Sequence, residues 1–475
     1  MQMVNGGFQM RKKAARIFFR KRFGRHVKLS LKMLFGTIAV GCITGSVCAF
    51  FELIPVKLWG MRHAYLDMLA GRGIPLWMVL AAAFLISMII AGIAVYITKK
   101  YAPEAGGSGI PEIEGAMVDL RPVRYKRVLP VKFFGGVLSL SSGMVLGREG
   151  PSIQIGGNLG AMVADIFKIS KADFYVLLAA GAASGLASAF NAPLAGILFV
   201  LEELRPQFNY RFSSIQAVAI AVICSTVVRS AIVGSSMPVF SLPVFDWVNM
   251  RDLTDFIFLG LTVGVCGVLF NKSVEIFQNL YARVCHGRIL ITTLIVAVVG
   301  GIYGMVSYLL PEASGSGMQH IAGWVLSSES LGFLGMLLFL RFLGIMLCFC
   351  SGIPGGIFAP SLSLGALIGA IFGLGMLRLG VMHYDPGIMA IVGMGAFFAA
   401  SVRAPVTGII LICEMTNNFQ FLLPMMVAVL AAVQTASMLK GRPIYTQILE
   451  RTLRIAGDME VISEYRRFKK ERNVE

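Results

Sequence analysis

Glu149 lies in Gly147-Arg148-Glu149-Gly150-Pro151, within a stretch that is otherwise apolar and rich in glycine. An ionisable group in such surroundings is expensive to keep, so it is a functional candidate by default. The same frame returns 209 residues later, without the charges, as Gly356-Ile357-Phe358-Ala359-Pro360. A third frame, Gly107-Ser108-Gly109-Ile110-Pro111, shares the design. Each opens on glycine and closes on proline ahead of a helix-compatible stretch. Proline suits the first helical position, so each frame reads as a helix start. The unpaired N–H groups and positive dipole end of a helix start attract an anion. Glycine lets the backbone come close to a ligand. Three such starts aimed at one point would hold an anion without a full positive charge, which matters where the ion must leave again. Ordinary capping of short helices would leave the same signature.

A carboxylate at an anion site imitates the anion. Ionised, Glu149 can occupy the site and block it; protonated, it can swing away. Neighbours in a helix or strand rarely face each other, which weighs against a plain Arg148–Glu149 ion pair. Two more carboxylates, Glu202 and Glu203, close an apolar run just before Leu204-Arg205-Pro206. They differ in what the second half of the chain places opposite them, as the repeat below shows.

The elements that must position these residues come in two copies. Gly143, Gly147, Pro151, Ser152, Gly156 and Gly160 match Gly352, Gly356, Pro360, Ser361, Gly365 and Gly369 at an offset of 209. Pro103-Glu104-Ala105 and Gly107-Ser108-Gly109 match Pro311-Glu312-Ala313 and Gly315-Ser316-Gly317 at 208. Ala192-Pro193, Gly196-Ile197 and Glu202 match Ala404-Pro405, Gly408-Ile409 and Glu414 at 212. Glu202 thus has a repeat mate, which suggests a structural role, whereas Glu203 faces Met415 and is particular to the first half. Large repeats in a membrane protein suggest a transporter with its site between the halves. The division read from the sequence is a basic N-terminal segment over 1–32, a first repeat over 33–236, a second over 237–440 and a C-terminal helix and tail over 441–475.

The chain is polytopic: 56% of its residues are hydrophobic and 14% charged, and its mean hydropathy is +0.77. Uncharged runs such as Met33–Phe51, Pro75–Thr98 and Ile289–Pro311 are long enough to span a bilayer. Phe342–Leu377 is too long for one crossing and is interrupted at Gly352, Pro354, Gly355, Gly356 and Pro360; Phe174–Leu201 is broken near Asn191-Ala192-Pro193. These read as pairs of short or re-entrant helices, tolerated where they are buried in protein or line a wet cavity.

The net charge of +17 does not indicate nucleic-acid binding, because no base-reading motif accompanies it. Much of the charge lies near the ends, which predicts cytoplasmic termini touching anionic lipid, with residues 11–32 as a candidate amphipathic helix. The N-terminus does not read as a signal peptide. The eight cysteines and five histidines show no metal-ligand or redox spacing, so no metal or cofactor is expected. No catalytic constellation is present either, and Gly143–Arg148 is one residue short of a phosphate-binding loop and lacks its Lys-Ser/Thr ending.

With these motifs in place, the chain resembles the CLC family of chloride channels and chloride/proton exchangers, over roughly residues 30–450, and its enterobacterial exchangers most. The resemblance implies an all-α, inverted-repeat membrane fold with broken and re-entrant helices. It also implies a homodimer with one pathway per subunit in a bacterial inner membrane. The three frames become the selectivity filter. Ser108 and Tyr445 would offer hydroxyls to chloride, and Ile357 and Phe358 backbone N–H groups. Glu149 would be the gate and proton acceptor and Glu203 the inner proton-transfer residue. Chloride and protons would be transported substrates. Ser108 favours chloride, since nitrate-preferring relatives carry proline there. The rival on the same fold is a passive chloride channel, against which Glu203 argues.

Overall fold

The computed structural model describes residues 29–204, 211–234, 240, 250–326, 330–457 and 462. Most of the basic N-terminal segment, the boundary drawn between 236 and 237, and nearly all of the tail past 457 lie outside these residues. Among the described residues there are seventeen α-helices, joined by short 3-10 turns and loops, and no strand. Nine helical segments are long and apolar enough to cross a membrane.

The first half runs α1 (Leu31–Gly71), α2 (Leu76–Tyr101), α3 (Ile110–Met117), α4 (Tyr125–Ser141), α5 (Glu149–Ile166), α6 (Lys171–Phe190), α7 (Pro193–Glu202) and α8 (Phe212–Val233). The second repeats the order with α9 (Leu253–Cys285), α10 (Ile289–Leu309), α11 (Met318–Leu326), α12 (Leu331–Cys348), α13 (Phe358–Arg378), α14 (Gly387–Val402), α15 (Pro405–Thr416) and α16 (Leu422–Met438). A last helix, α17 (Ile444–Ala456), follows.

The predicted breaks are present. α6 stops at Phe190 because Asn191 turns left-handed at φ 51°, and α7 restarts at Pro193. Its mate α14 stops the same way at Arg403, φ 72°. α12 ends at Cys348, and Gly352, at φ 78°, turns the chain toward α13. Gly143, at φ 90°, does the same before α5. A ten-residue helix such as α7 rises about 15 Å, half the hydrocarbon thickness.

Two readings of the sequence need correction. The apolar run Met33–Phe51 is only the first half of α1, which continues to Gly71 through Glu52, Pro55 and Arg62. Those charges are accommodated inside the fold. Arg62 donates to Ser87 Oγ at 2.7 Å, Ser142 O at 2.5 Å and Ser307 Oγ at 2.5 Å. The frames do start helices, but α5 and α13 begin at Glu149 and Phe358, two residues before their prolines. Pro151 and Pro360 still fall in the first turn, where a missing N–H loses no helical bond.

The recurring glycines bring backbones together. A methyl on Gly160 would stand 2.8 Å from the Leu177 carbonyl carbon of α6; one on Gly369 would stand 2.9 Å from Ala390 Cα of α14. Small residues at such crossings allow close helix packing in a membrane.

Gly147 and Gly356 fix the relation between the halves. Each N–H donates to the other's carbonyl, at 2.7 and 2.6 Å, in an antiparallel pair. Repeat mates that exchange equivalent bonds lie about a local two-fold axis, so the helices that follow them run in opposite directions. The halves are therefore inverted copies. Glu202 and Glu414 repeat the relation. Glu202, at the end of α7, accepts from Val406 N at 2.9 Å and Thr407 N at 2.7 Å at the start of α15. Glu414, near the end of α15, accepts from Leu194 N at 3.0 Å and Ala195 N at 2.8 Å at the start of α7. The shared structural role expected from the repeat is visible as reciprocal capping. Replacing either carboxylate by alanine leaves two helix-start N–H groups unpaired. Glu202→Ala and Glu414→Ala are each expected to destabilise the protein by about 1–2 kcal/mol, read as lowered thermal unfolding in detergent. An unchanged unfolding temperature in both would remove the caps from the account.

Candidate anion and proton site

The three frames meet. Gly107 N donates to Ile353 O at 3.0 Å and Gly355 N to Gly107 O at 3.1 Å, which ties the Ser108 frame to the loop before α13. The Gly147–Gly356 pair ties the other two. A methyl on Gly150 would lie 2.8 Å from the Ser108 carbonyl oxygen, so the start of α5 touches the Ser108 backbone. Three helix starts, of α3, α5 and α13, are thus held together by backbone bonds in the interior.

Two buried hydroxyls are short of partners. Ser108 Oγ and Tyr445 Oη are buried and have no hydrogen-bond partner among the described residues. Tyr445 is fully buried at the start of α17. As the first N–H groups of α13, those of Ile357 and Phe358 have no intrahelical acceptor. The Phe358 ring turns away, against Phe190 at 5.0 Å and Phe398 at 4.3 Å. Buried orphan donors of this kind call for an acceptor, and a monatomic anion fits a set made of hydroxyls and N–H groups.

Glu149 is buried, and its Oε2 accepts from Ala359 N at 3.3 Å. The carboxylate therefore rests on the start of α13, as an anion mimic would. Arg148 does not pair with it: the guanidinium reaches Glu52 Oε1 at 3.0 Å and Ala189 O at 3.1 Å. Glu203 sits immediately past α7, its N–H on Phe199 O at 2.8 Å, half-buried. Tyr445 is within electrostatic reach of both Glu203 and Glu149. Tyr445 thus stands near both carboxylates. Gly109, Ile110, Pro111, Gly150, Pro151, Ala359 and Pro360 complete the three frames.

The pattern of the family described as "Voltage gated chloride channel" matches residues 90–437. The chain is 45% identical to an H(+)/Cl(-) exchange transporter ClcA of Salmonella schwarzengrund (strain CVM19633) over 435 residues, 91% of each chain. It is 46% identical to a ClcA of Vibrio cholerae serotype O1 (strain M66-2) over 432 residues, 90% of this chain and 91% of that one. A solved slow cyanobacterial Cl-/H+ antiporter superposes with a TM-score of 0.85 at 36% identity, covering 90% of this chain and 99% of that one. The protein belongs to the CLC family.

Two cations behind the frames of this CLC protein were missed in the sequence. Lys132 of α4 is fully buried, and its Nζ donates to Ala105 O at 3.0 Å and Gly107 O at 2.7 Å. Arg341 of α12, 209 residues later, is also fully buried. It donates to Glu312 O at 2.8 Å, Ser314 O at 3.0 Å, Gly315 O at 3.2 Å and Ser363 Oγ at 2.9 Å. Each thus satisfies carbonyl oxygens of the loop that leads into its frame. The signal was the repeat offset itself, which aligns the two cations. Among the described residues no cluster of three or more His, Cys, Asp or Glu is placed to hold a metal.

Removing one hydroxyl donor to a bound anion costs about 1.5–3 kcal/mol. Tyr445→Phe keeps the ring and should weaken chloride binding roughly ten- to hundredfold, measured by calorimetric titration. Unchanged affinity would take Tyr445 out of the site.

Proposed function

We propose that this protein exchanges chloride for protons across a bacterial inner membrane. The observation that carries the reading is the Glu149 carboxylate resting on an α13 N–H beside the unpaired hydroxyls of Ser108 and Tyr445. A carboxylate and an anion then compete for the same donors. With Glu149 ionised, its side chain fills the anion position. When it takes a proton, its hold on the N–H weakens, the side chain leaves and chloride can enter. Ser108, Tyr445 and the N–H groups of Ile357 and Phe358 bind the ion. Glu203, at the end of α7, hands protons to the other side along a route that passes Tyr445. The relatives named as exchange transporters and the antiporter structure support the same reading.

No cofactor enters this scheme, since chloride and protons are the species moved. We place both termini in the cytoplasm, where the basic residues from Arg11 to Lys32 and from Arg466 to Arg472 favour them. We infer a homodimer, each subunit with its own path, because the capped helices α7 and α15 and their neighbours α8 and α16 carry exposed Leu194, Ile223, Val227, Val406 and Leu430. These side chains would pack across a subunit interface.

Chloride and proton fluxes recorded together in liposomes test the reading. Glu149→Ala should pass chloride with no coupled proton movement, because alanine neither titrates nor occupies the anion position. Glu203→Gln should also uncouple, since glutamine keeps the shape but carries no proton. Proton coupling that survives either change would sink the exchange mechanism, and wild-type chloride flux that moves no protons would make the protein a passive channel.

A further inference from the structure

On the Glu149 side of the filter lies a cavity of about 230 Å³, lined among others by Glu52, Arg148, Glu149, Ser316, Gln319 and His320. It has room for an anion with several waters, each of which fills about 30 Å³ in the liquid. The transport scheme uses Glu149 alone from this set.

The cavity wall repeats the anion frame. Gly315-Ser316-Gly317 leads into α11 as Gly107-Ser108-Gly109 leads into α3. The backbone follows the same course, with φ 60° and 88° at Gly107 and Gly109, and 58° and 83° at Gly315 and Gly317. Behind the first frame Lys132 holds Gly107 O; behind the second Arg341 holds Gly315 O. The inner frame belongs to the filter, whereas the outer one faces the cavity, opposite Arg148.

Charge separates this cavity from an ordinary wet cleft. Glu52 is shared by two guanidinium groups: Arg229 donates to its Oε1 and Oε2 at 2.9 and 3.0 Å, and Arg148 lies 3.0 Å from Oε1. One carboxylate between two arginines leaves a net positive charge beside Glu149. His320 adds a group that can carry another. Its ring stacks on Trp324 with centroids 6.3 Å apart, and Arg341 sits 5.6 Å from the other ring of that stack. The charged groups around His320 are Glu52, Arg148 and Glu149 across the cavity, Glu312 in the preceding turn and Arg341 behind Trp324, with Arg229 acting through Glu52. With His320 neutral and Glu149 ionised, three cations balance three anions. A proton on Glu149 or on His320 makes the cavity positive.

We propose that this vestibule is a second anion site, formed by Arg148, His320 and the Ser316 frame, and loaded when His320 takes a proton. The inference rests on the exchange reading and extends it: acid on this side both frees Glu149 from the filter and gathers chloride at its mouth. An anion held there also favours the protonated form of Glu149, since it repels the carboxylate.

The test uses the purified full chain carrying Glu149→Ala, so that Glu149 contributes no titration. Chloride binding is measured by calorimetry at about pH 5 and about pH 8, which bracket the ordinary imidazole range. Binding at the lower pH should be about tenfold tighter, the effect of one unit charge a few ångströms away in a partly wet cavity. Adding His320→Gln should abolish the difference, and adding His320→Arg should give the tighter binding at both pH values. Affinity that is independent of pH, a pH effect that survives His320→Gln, or weak binding at pH 8 with His320→Arg would each overturn the vestibule site. Proton coupling in the liposome assay decides the exchange reading separately.

Discussion

A helix that begins in the middle of a membrane exposes N–H groups that water cannot reach and the helix cannot satisfy. Three such starts meet in this molecule, at Ile110, Glu149 and Phe358. Left unpaired, each buried donor costs on the order of 1–3 kcal/mol. The arrangement is stable only when something negative lies among them. The Glu149 carboxylate meets that need at the Ala359 N–H, and in the proposed exchange chloride does so when the carboxylate leaves. The broken helices, the repeats and the glycines all serve to bring these donors together and keep them together.

Holding them together requires that the neighbouring carbonyls point elsewhere, because a carbonyl beside an anion repels it. The Gly147–Gly356 pair consumes one carbonyl from each of two frames. Lys132 and Arg341 consume those of the loops before α3 and α11. A buried cation is itself costly unless hydrogen bonds surround it, and here carbonyl oxygens and one hydroxyl do so. In the proposed mechanism these cations would add positive potential at the anion site while their own hydrogen bonds go to carbonyls and a hydroxyl. That distinction matters for transport: direct contact with a lysine or arginine would hold chloride too tightly to release.

Much of this was legible in the chain. Proline, glycine and left-handed turn residues mark where helices stop and start, and their recurrence at offsets of 208, 209 and 212 fixed both the repeat and the frames. Glu202 was assigned a structural task because it had a mate in Glu414, and the reciprocal capping agrees. Three features were not legible. α1 was cut short at Phe51 because hydropathy counts Glu52 and Arg62 as exposed, whereas distant residues such as Arg229, Ser87 and Ser307 compensate them. α4 was not seen as an apolar element because Lys126, Arg127 and Lys132 interrupt it, although Lys132 is fully buried. Tyr445 and Ser108 are more than three hundred residues apart in the chain, and no local pattern links them; only the family likeness pointed to Tyr445.

In the proposed mechanism the asymmetry between the copies is what turns a binding site into an exchanger. The two-fold axis through the Gly147–Gly356 pair gives positions 149 and 358 equivalent places at two helix starts. A carboxylate at both would put two negative charges at one site, and an anion would be repelled from it. Phenylalanine at both would leave the donors to chloride permanently and give protons no part in the cycle. With Glu149 on one side and Phe358 on the other, the site has one titratable competitor for the ion, and Phe358 contributes its N–H while its ring packs into the aromatic core with Phe190 and Phe398. In the proposed exchange one proton can then release one competitor, so the Glu149 carboxylate and chloride become alternatives for the same set of donors, and the proton decides between them.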